Sequence, residues 1–342
     1  MCQEVLTCFL LTMEEDMEKE LKWAVLGCGV IANQMAEALQ KQGKKIYAVG
    51  NRTHEKAVAF AEKYGIGKVY DDFHDMFTDP EVDVIYITTP HNTHIGFMKE
   101  AIENGKHLLV EKSITLNSDE LHEAVEMANE HNVIIGEAQT IYHMPIYKEL
   151  KKILDSGRLG RVNLITMNFG SFKDYNMKNR FFNRNLAGGA MLDIGVYALS
   201  FIRWFMDSKP TKLLSQMIPA PTGVDEKDSL LLMNDEGQMA TVMLSMHSKQ
   251  PKRGMISCEK GYIEVMEYPR AWEATITDAE TGEKEVIKAG KNEDALAYEL
   301  ADMETAIKGD PSVLHFDYTV DVMNLMTKFR REWGVTYPEE EK

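Results

Sequence analysis

Three residues in the middle of the chain have side chains that could exchange a proton with an alcohol or a carbonyl group. Lys112 follows the apolar run HLLVE, and Asp193 and Tyr197 lie four residues apart in GGAMLDIGVYAL. A tyrosine can serve as general acid or base, a nearby ammonium can polarise a carbonyl and lower the pKa of the phenol, and a carboxylate can orient the substrate hydroxyl. The three residues therefore predict a catalytic and substrate-binding set for alcohol–carbonyl redox chemistry. Taken alone, a tyrosine four residues after an aspartate on a helix is more often a packing residue than a catalytic one.

A glycine turn near the start of the chain could bind the dinucleotide that such chemistry requires. The segment LGCGVIA (26–32) matches the pattern G-x-G-x-x-[GA] and stands between an apolar run and a helix-like segment. Gly27 permits a tight turn, Gly29 lets the backbone approach a pyrophosphate, and Ala32 lets the helix pack closely on the sheet. The N-terminus of the helix, which is the positive end of its dipole, then faces the negatively charged pyrophosphate. This predicts cofactor contacts at Gly27, Gly29, Val30 and Ile31.

The end of the second apolar run favours NADP over NAD. This position usually carries an acidic residue that binds the adenosine ribose, but the sequence here is VGNRT (49–53). The planar guanidinium of Arg52 suits a 2′-phosphate, Thr53 offers a hydroxyl, and Asn51 is adjacent. NAD stays possible, because Arg52 could instead stack on the adenine or face solvent.

The elements that must position these residues follow from the hydrophobic periodicity. Five short apolar runs alternate with amphipathic segments between residues 21 and 137, which predicts βαβ units and an N-terminal Rossmann domain with a parallel sheet. After helix-like segments at 147–156 and from 188 to about 206, several strand-like segments follow one another without helices between them, which predicts a C-terminal α+β domain with an open, mainly antiparallel sheet. We expect a disordered leader at 1–20, a dinucleotide-binding domain at 21–140, and a substrate-binding and dimerisation domain at 141–342 whose last segment could pack on the first domain.

Composition narrows the possible partners and the compartment. The 342 residues carry a formal net charge of −16, which opposes binding to nucleic acids and anionic membranes. The run at 5–11 is too short to span a membrane and lacks the flanks of a signal peptide. The four cysteines, Cys2, Cys8, Cys28 and Cys258, show no metal-ligand spacing, so we expect no metal site, reduced thiols and a cytoplasmic protein.

Three further motifs match the pattern of a known protein family. They are TPHNTH (89–94), GKHLLVEK (105–112) and AGGAMLDIGVY (187–197), in this order after the glycine turn. With it they resemble the Gfo/Idh/MocA oxidoreductases, and the resemblance extends from Leu21 to Pro338. It implies an NAD(P)-dependent enzyme acting on a sugar, a polyol or a related hydroxy or carbonyl compound. Within the family, Tyr197 resembles the residue found in the branch of glucose–fructose oxidoreductase and dimeric dihydrodiol dehydrogenase. Sugar and inositol dehydrogenases usually have histidine at this position.

The resemblance also implies further contacts. The implied cofactor contacts are Thr89, Pro90, Asn92, His94, Glu111, Lys112 and Gln139, and the implied substrate contacts include Tyr142 and Arg184. His94 could equally be a structural residue at a helix N-terminus that contacts no ligand. Arg184 could equally form a surface salt bridge. Two positions depart from the family pattern. Ser113 stands where Glu-Lys-Pro has proline, and Tyr142 stands where dihydrodiol-type members usually have arginine.

Two other functions and an assembly state stay open at this point. A dinucleotide-binding regulator would share the fold but would have no need of Lys112, Asp193 and Tyr197 together. A redox-assisted lyase or glycosidase, in which the hydride returns to the same bound cofactor, would use the same three residues. The resemblance implies a homodimer or higher homo-oligomer, and the apolar strands SLLLMN and ATVMLSM suit an interface, although packing within one subunit would explain them equally.

Overall fold

A six-stranded parallel sheet occupies the first part of the chain in a computed structural model that describes residues 20–341. The predicted leader therefore lies, except for Glu20, outside the described residues. The strands are β1 (Trp23–Leu26), β2 (Ala48–Gly50), β3 (Lys68–Tyr70), β4 (Val84–Ile87), β5 (His107–Glu111) and β6 (Ile135–Ala138). Their order is β3-β2-β1-β4-β5-β6, with the direction of winding reversing between β1 and β4. The predicted Rossmann fold is confirmed. The sequence analysis missed β3, because a three-residue strand offers too little periodicity to recognise.

Helices connect these strands on both faces of the sheet. They are α1 (Val30–Lys41), α2 (His54–Tyr64), α3 (Phe73–Thr78), α4 (His94–Glu103) and α5 (Ser118–Glu130). The sheet strands β1 and β4 are buried along their whole length, as expected for parallel strands covered on both faces. The N-terminus of α5 shows why the chain turns where it does, since the Asn117 side chain accepts hydrogen bonds from the backbone N–H groups of Asp119 and Glu120.

A second sheet of eight strands follows two helices, α6 (Thr140–His143) and α7 (Pro145–Asp155). Its strands are β7 (Val162–Gly170), β8 (Lys212–Pro219), β9 (Asp225–Met233), β10 (Met239–Ser245), β11 (Gln250–Cys258), β12 (Gly261–Met266), β13 (Glu273–Asp278) and β14 (Lys284–Lys288). The order is β14-β13-β12-β11-β7-β10-β9-β8, and every pair is antiparallel except β7 with β10. The predicted mainly antiparallel sheet is confirmed. Two strands were missed: β11 contains proline, glycine and two cations, and β14 is a charged edge strand.

One face of this sheet is covered by a buried helix. A π-helical turn (Met191–Gly195) leads into α8 (Val196–Phe205), which packs against β7 and β11. The approach is close at Gly254, where an added Cβ would lie 2.7 Å from the Phe201 ring. Residues 184–205 are long and apolar enough to cross a membrane, with a mean hydropathy of 1.4, but 83% of that window is buried within the fold. The burial is that of a core helix.

The last two helices return to the first sheet. They are α9 (Ala295–Ile307) and α10 (Phe316–Trp333), and α10 packs against α5, α8 and β6. The hydroxyl of Thr319 on α10 donates to Oε2 of Glu137 on β6 at 2.9 Å, and the backbone N–H of Ile114 donates to Oε1 at 3.1 Å. Burial outweighs these two hydrogen bonds and raises the pKa of the Glu137 carboxyl to about 7.

We expect Glu137 to make the stability of the folded chain depend on pH. The unfolded carboxyl has a pKa of about 4.5, so between pH 4.5 and 7 the folded chain binds a proton that the unfolded chain releases. The free energy of unfolding should therefore fall across this window as pH rises, by at most ~3 kcal/mol. Urea unfolding at pH 5 and pH 8 measures this, and Glu137→Gln should show a smaller loss than the wild type.

The matched control is Glu130→Gln, which removes the same charge from an exposed position at the end of α5. Its pH dependence should equal that of the wild type. Glu137→Gln and wild-type stabilities that change in parallel with pH would contradict the assignment.

Candidate active site

A cavity of about 530 Å³ opens where the carboxyl ends of β1, β4 and β5 face the second domain. Open α/β sheets bind ligands at this edge, beside the point where the strand order reverses. The walls come from the glycine turn, the segments after β4 and β5, the loop before the π-helical turn, and the start of α8. The lining residues are Gly29, Val30, Ile31, Gln34, Thr88, Thr89, Pro90, His91, Glu111, Lys112, Arg180, Phe181, Leu186, Ala187, Gly188, Asp193, Tyr197 and Arg270.

The glycine turn has the geometry that a dinucleotide requires. Gly27 has a φ of +108°, and an added Cβ would lie 2.5 Å from the Thr88 hydroxyl oxygen, so only glycine fits there. Next to the Gly29 Cα, by contrast, there is open space at the cavity wall. Helix α1 begins directly afterwards without an acidic residue in its first turn or a side-chain cap on its N–H groups. These free donors and the helix dipole fit a pyrophosphate, so the residues present fit a nicotinamide dinucleotide.

Lys112, Asp193 and Tyr197 meet on the opposite side of the cavity. The Lys112 ammonium donates to the backbone carbonyl of Asp193 at 2.6 Å and lies 3.6 Å from its carboxylate oxygen Oδ1. The same Nζ atom lies 4.6 Å from the centroid of the Tyr197 ring. Lys112 comes from the end of β5, whereas Asp193 is on the π-helical turn and Tyr197 on the first turn of α8. The structure therefore brings together residues that are about 80 positions apart in sequence.

The charges of this group depend on one another. Burial alone would lower the pKa of Lys112, but Tyr197, Asp193 and Glu111 outweigh it and the pKa lies above its ordinary value. For Asp193, burial is outweighed by Lys112 and Arg180, and the carboxyl pKa is lowered. Burial raises the pKa of Tyr197 although Lys112 acts in the opposite direction. At neutral pH the set is therefore an ammonium, a carboxylate and a neutral phenol able to donate its proton.

Backbone contacts hold the two segments that carry this group. The Ser113 hydroxyl donates to the carbonyl of Leu192 at 3.0 Å, which joins the end of β5 to the π-helical turn. His91 Nε2 lies 3.0 Å from the Lys112 carbonyl, and burial lowers the pKa of His91 to about 3, so the neutral ring donates this bond. Serine replaces the proline of the family pattern at position 113, and the Lys112–Ser113 peptide bond is cis.

The π-helical turn is capped from the second sheet. The backbone N–H of Met191 donates to the carboxylate of Asp225 at the start of β9. Asp225 has no exposed surface, and its Oδ1 would lie 2.2 Å from a Cβ added to Gly189, so glycine leaves the room that this carboxylate occupies. The glycine pair in AGGAMLD thus has a structural cause, because it lets a buried carboxylate reach the first turn that carries Asp193.

Nine of the predicted site residues line the cavity: Gly29, Val30, Ile31, Thr89, Pro90, Glu111, Lys112, Asp193 and Tyr197. Gly27 lies directly behind the lining, because its backbone packs on Thr88. Glu111 accepts a hydrogen bond from the buried Tyr86 hydroxyl, which orients its carboxylate beside Lys112. The remaining predicted residues lie elsewhere.

Tyr142 and Arg184 were predicted to contact substrate, and their positions correct this. Tyr142 has no exposed surface, its hydroxyl donates to Ser200 Oγ at 3.0 Å, and its ring stacks on Trp204. It is a core residue, because the segment after β6 turns into the body of the second domain. The guanidinium of Arg184 donates to the Thr336 carbonyl at 2.8 Å and pairs with Glu341. It attaches the C-terminal segment, which is the salt-bridge alternative raised above.

Three predicted cofactor residues are also outside the lining. His94 is fully buried, with Nε2 2.8 Å from the Thr89 carbonyl and Nδ1 3.2 Å from the Ser113 carbonyl, so it joins the two loops as a structural residue. The Asn92 amide donates to Glu339 at 2.7 Å. Gln139 is fully buried, and neither amide atom has a partner among the described residues.

Asn51, Arg52 and Thr53 follow β2 at the far end of the glycine turn, outside the cavity. The backbone N–H of Gly27 donates to the Gly50 carbonyl at 2.8 Å, which places this segment beside the turn. Asn51 Nδ2 donates to the Thr53 carbonyl at 2.9 Å and so shapes the start of α2. The exposed Arg52 guanidinium has no hydrogen bond or ion pair within the described part of the chain.

The sequence analysis missed half of the lining. Those residues are Gln34, Thr88, His91, Arg180, Phe181, Leu186, Ala187, Gly188 and Arg270. Thr88, His91, Ala187 and Gly188 are in or next to the quoted motifs, so the motifs could have indicated them. Arg180, Phe181 and Arg270 come from segments without periodicity, and only tertiary contacts bring them to the cavity.

Comparison with known proteins agrees with this architecture. Residues 21–139 match the family model described as "Oxidoreductase family, NAD-binding Rossmann fold", and residues 147–264 match the model described as "GFO/IDH/MocA C-terminal domain". The chain belongs to the Gfo/Idh/MocA oxidoreductase family. The resemblance inferred from the motifs is thereby confirmed, and the first matched region contains the whole parallel sheet, whereas the second contains most of the eight-stranded sheet.

The relatives are dehydrogenases and reductases. A trans-1,2-dihydrobenzene-1,2-diol dehydrogenase from Xenopus tropicalis is 27% identical over 93% of this chain and 99% of its own, and that from Xenopus laevis is 31% identical over 71% and 74%. A 3-ketoreductase from Actinomadura kijaniata, solved with NADP and TDP-benzene, has a TM-score of 0.81 at 20% identity and covers 90% of this chain and 96% of that one. An aldose–aldose oxidoreductase from Caulobacter crescentus has a TM-score of 0.81 at 23% identity, covering 92% and 98%. At these identities the two structures support the fold alone.

Proposed function

We propose that this protein is an NADP-dependent oxidoreductase that interconverts a secondary alcohol and a carbonyl group in a sugar, a polyol or a related compound. The observation that carries the proposal is the Lys112 ammonium, held between the Asp193 carboxylate and the Tyr197 ring on the wall opposite the glycine turn. A regulator that only binds a dinucleotide would gain nothing from burying these three groups together, since burial of charged groups is costly unless it serves a purpose.

The residues of the chain act on the substrate oxygen. The free N–H groups at the start of α1 would hold the pyrophosphate of a nicotinamide dinucleotide, which would supply the hydride chemistry. Tyr197 donates its phenolic proton to the carbonyl oxygen in reduction and takes a proton from the hydroxyl in oxidation. Lys112 stabilises the phenolate that remains and polarises the carbonyl. Asp193 holds Lys112 in place and accepts a hydrogen bond from a substrate hydroxyl.

Tyr197→Phe should lower kcat/KM by about 10²–10⁴, because it removes the hydroxyl group whose proton the reaction exchanges. The measurement is NADPH formation or consumption at 340 nm with trans-1,2-dihydrobenzene-1,2-diol, the substrate in the name of the Xenopus relatives, and with a panel of sugars and polyols. A redox-assisted lyase would instead form product without a net change in free NADPH.

The matched control is Tyr142→Phe, which also removes one phenolic oxygen but from the core. It should leave kcat/KM within about twofold of the wild type and lower the free energy of unfolding by ~1 kcal/mol, since the bond to Ser200 is lost. Equal activity of Tyr197→Phe and the wild type would refute the role given to Tyr197.

The preference for NADP rests on Arg52. Its guanidinium is exposed next to the glycine turn and has no ion-pair partner among residues 20–341, and Asn51 and Thr53 beside it are uncharged, so a 2′-phosphate would meet a cation rather than a carboxylate. Arg52→Ala should weaken NADP binding about 10- to 100-fold and change NAD binding less than twofold, because only NADP carries the phosphate. Isothermal titration calorimetry measures both affinities.

Lys45→Ala is the control, since it removes an exposed positive charge on the same domain. It should leave both affinities unchanged. A wild type that binds NAD more tightly than NADP, or an Arg52→Ala variant that loses both cofactors equally, would overturn the NADP assignment.

We also propose that the outer face of the second sheet binds a second copy of the chain. The strand register places seven exposed apolar side chains on this one face: Leu164, Leu214, Ile218, Met243, Tyr262, Met266 and Val286. They span the eight strands, about 34 Å by about 20 Å, which approaches the ~800 Å² per partner of a stable interface. An apolar face on a closed two-fold axis is self-complementary, so a homodimer fits it.

We place this dimer in the cytoplasm, in keeping with the free thiols of Cys28 and Cys258.

Met243→Glu should convert the dimer to a monomer, because it would place two charges in the centre of the apolar interface. Light scattering coupled to size-exclusion chromatography at micromolar concentration measures the mass. Gln42→Glu, which adds the same charge to an exposed position at the end of α1, should stay dimeric. A wild-type monomer, or a Met243→Glu dimer, would contradict the interface.

A further inference from the structure

Positively charged side chains outnumber negatively charged ones at the end of the cavity where Tyr197 lies. Arg180 Nη2 lies 3.7 Å from Asp193 Oδ1, the carboxylate oxygen that Lys112 already approaches at 3.6 Å. The Lys173 ammonium lies 4.1 Å from the centroid of the Phe181 ring, and the Arg180 guanidinium carbon lies 4.3 Å from the same centroid. Within residues 20–341 no carboxylate pairs with Lys173, and Asp193 is the only one that pairs with Arg180. The three cations Lys112, Arg180 and Lys173 therefore outnumber the two carboxylates at this end of the cavity, Asp193 and Glu111.

Neighbouring side chains do not neutralise this excess of positive charge. Burial lowers the pKa of Lys173 although Asp193 attracts its ammonium, and repulsion from Arg180, Lys112 and Lys252 acts in the same direction as burial. His91, which also lines the cavity, is neutral and therefore does not change the local charge. Uncompensated like charges at short range raise the free energy of the empty site, and an anion would lower it. The chain as a whole carries −16, so the local excess is opposite in sign to the protein.

The cofactor's phosphates do not account for the surplus. On their side the chain offers Arg270, whose Nη1 donates to Gln34 Oε1 on α1 at 3.0 Å, next to the glycine turn. Arg180 and Lys173 instead lie around Phe181, on the side of Asp193 and Tyr197. The unrelieved positive charge is therefore in the part of the cavity where the reacting oxygen of the substrate must lie.

We infer that the substrate is an anion, whose carboxylate or phosphate group lies near the reacting carbon and is bound by Arg180 and Lys173. The inference rests on the proposed function, because Tyr197 defines where the reacting carbon is. The planar guanidinium can bind two oxygens of a carboxylate or phosphate, while Lys173 contributes a point charge. The Arg180 side chain is 61% exposed, so an incoming anion can reach it from the mouth of the cavity. Phe181 then covers the carbon skeleton next to the anionic group.

Titration calorimetry on the full chain saturated with NADP⁺ tests this with matched probes. D-glucose, D-glucuronate and D-glucose 6-phosphate share one skeleton, and glycerol, D-glycerate and glycerol 3-phosphate share a smaller one. We expect at least one anion to bind at least tenfold more tightly than its neutral partner. Arg180→Gln and Lys173→Gln should each reduce that preference several-fold, and the double variant should abolish it. The carboxylate and phosphate arms then show which anion is preferred.

Lys178→Gln is the matched control, since it removes an exposed lysine from the same loop and should leave the preference unchanged. Neutral probes that bind as tightly as the anions in the wild type would overturn the inference. So would an anion preference that survives in the double variant while thermal unfolding shows it folded. Because binding is measured directly, these results are distinct from a failure of Tyr197→Phe to reduce turnover, which would overturn the proposed chemistry and not the anion site.

Discussion

The arrangement of the candidate site depends on one buried ion pair that joins the two domains. Lys112 ends a strand of the Rossmann sheet, and its ammonium reaches the carbonyl and the carboxylate of Asp193 on the turn before α8. Both side chains are about seven-eighths buried, so removing either partner would leave an uncompensated charge in a low-dielectric environment. The same ammonium lies against the Tyr197 ring. The contact that holds the domains in register is thus also the contact that sets the electrostatics of the phenol.

The supporting structure consists largely of hydrogen bonds to the backbone. Ser113 donates to Leu192, His91 contacts the carbonyl of Lys112, and Asp225 accepts from the N–H of Met191. Each bond fixes a main-chain atom within one or two residues of Lys112 or Asp193. Fixing the backbone on both sides limits the positions that the two side chains can take, which is what a site needs in order to hold reacting groups in place.

Local patterns in the sequence were enough to predict the two sheets and the glycine turn, and the resemblance of the motifs to a known family was needed to single out the group formed by Lys112, Asp193 and Tyr197. These features depend on periodicity or on motifs only a few residues long. Tyr142 was placed wrongly and His94 was left with two equal alternatives, because whether a polar side chain turns toward a cavity or into the core depends on its tertiary neighbours. Arg180 went unnoticed for a related reason, since its loop shows no period and its partner, Asp193, is on a different element. Strand β11 was missed because its proline, glycine and two cations interrupt the alternating pattern of a strand.

The contrast between the acidic chain and its cationic cavity follows from the range of electrostatic forces. At physiological ionic strength charges more than about 8 Å apart are largely screened in solvent, so an extended polyanion meets mainly the acidic surface. A small anion inside the cavity lies within a few ångströms of Arg180 and Lys173, where the local charge dominates and screening is weak. A net charge of −16 therefore argues against nucleic acid as a partner without arguing against an anionic metabolite. The global charge disfavours one class of ligand, whereas the excess of three cations over two carboxylates in the cavity favours another.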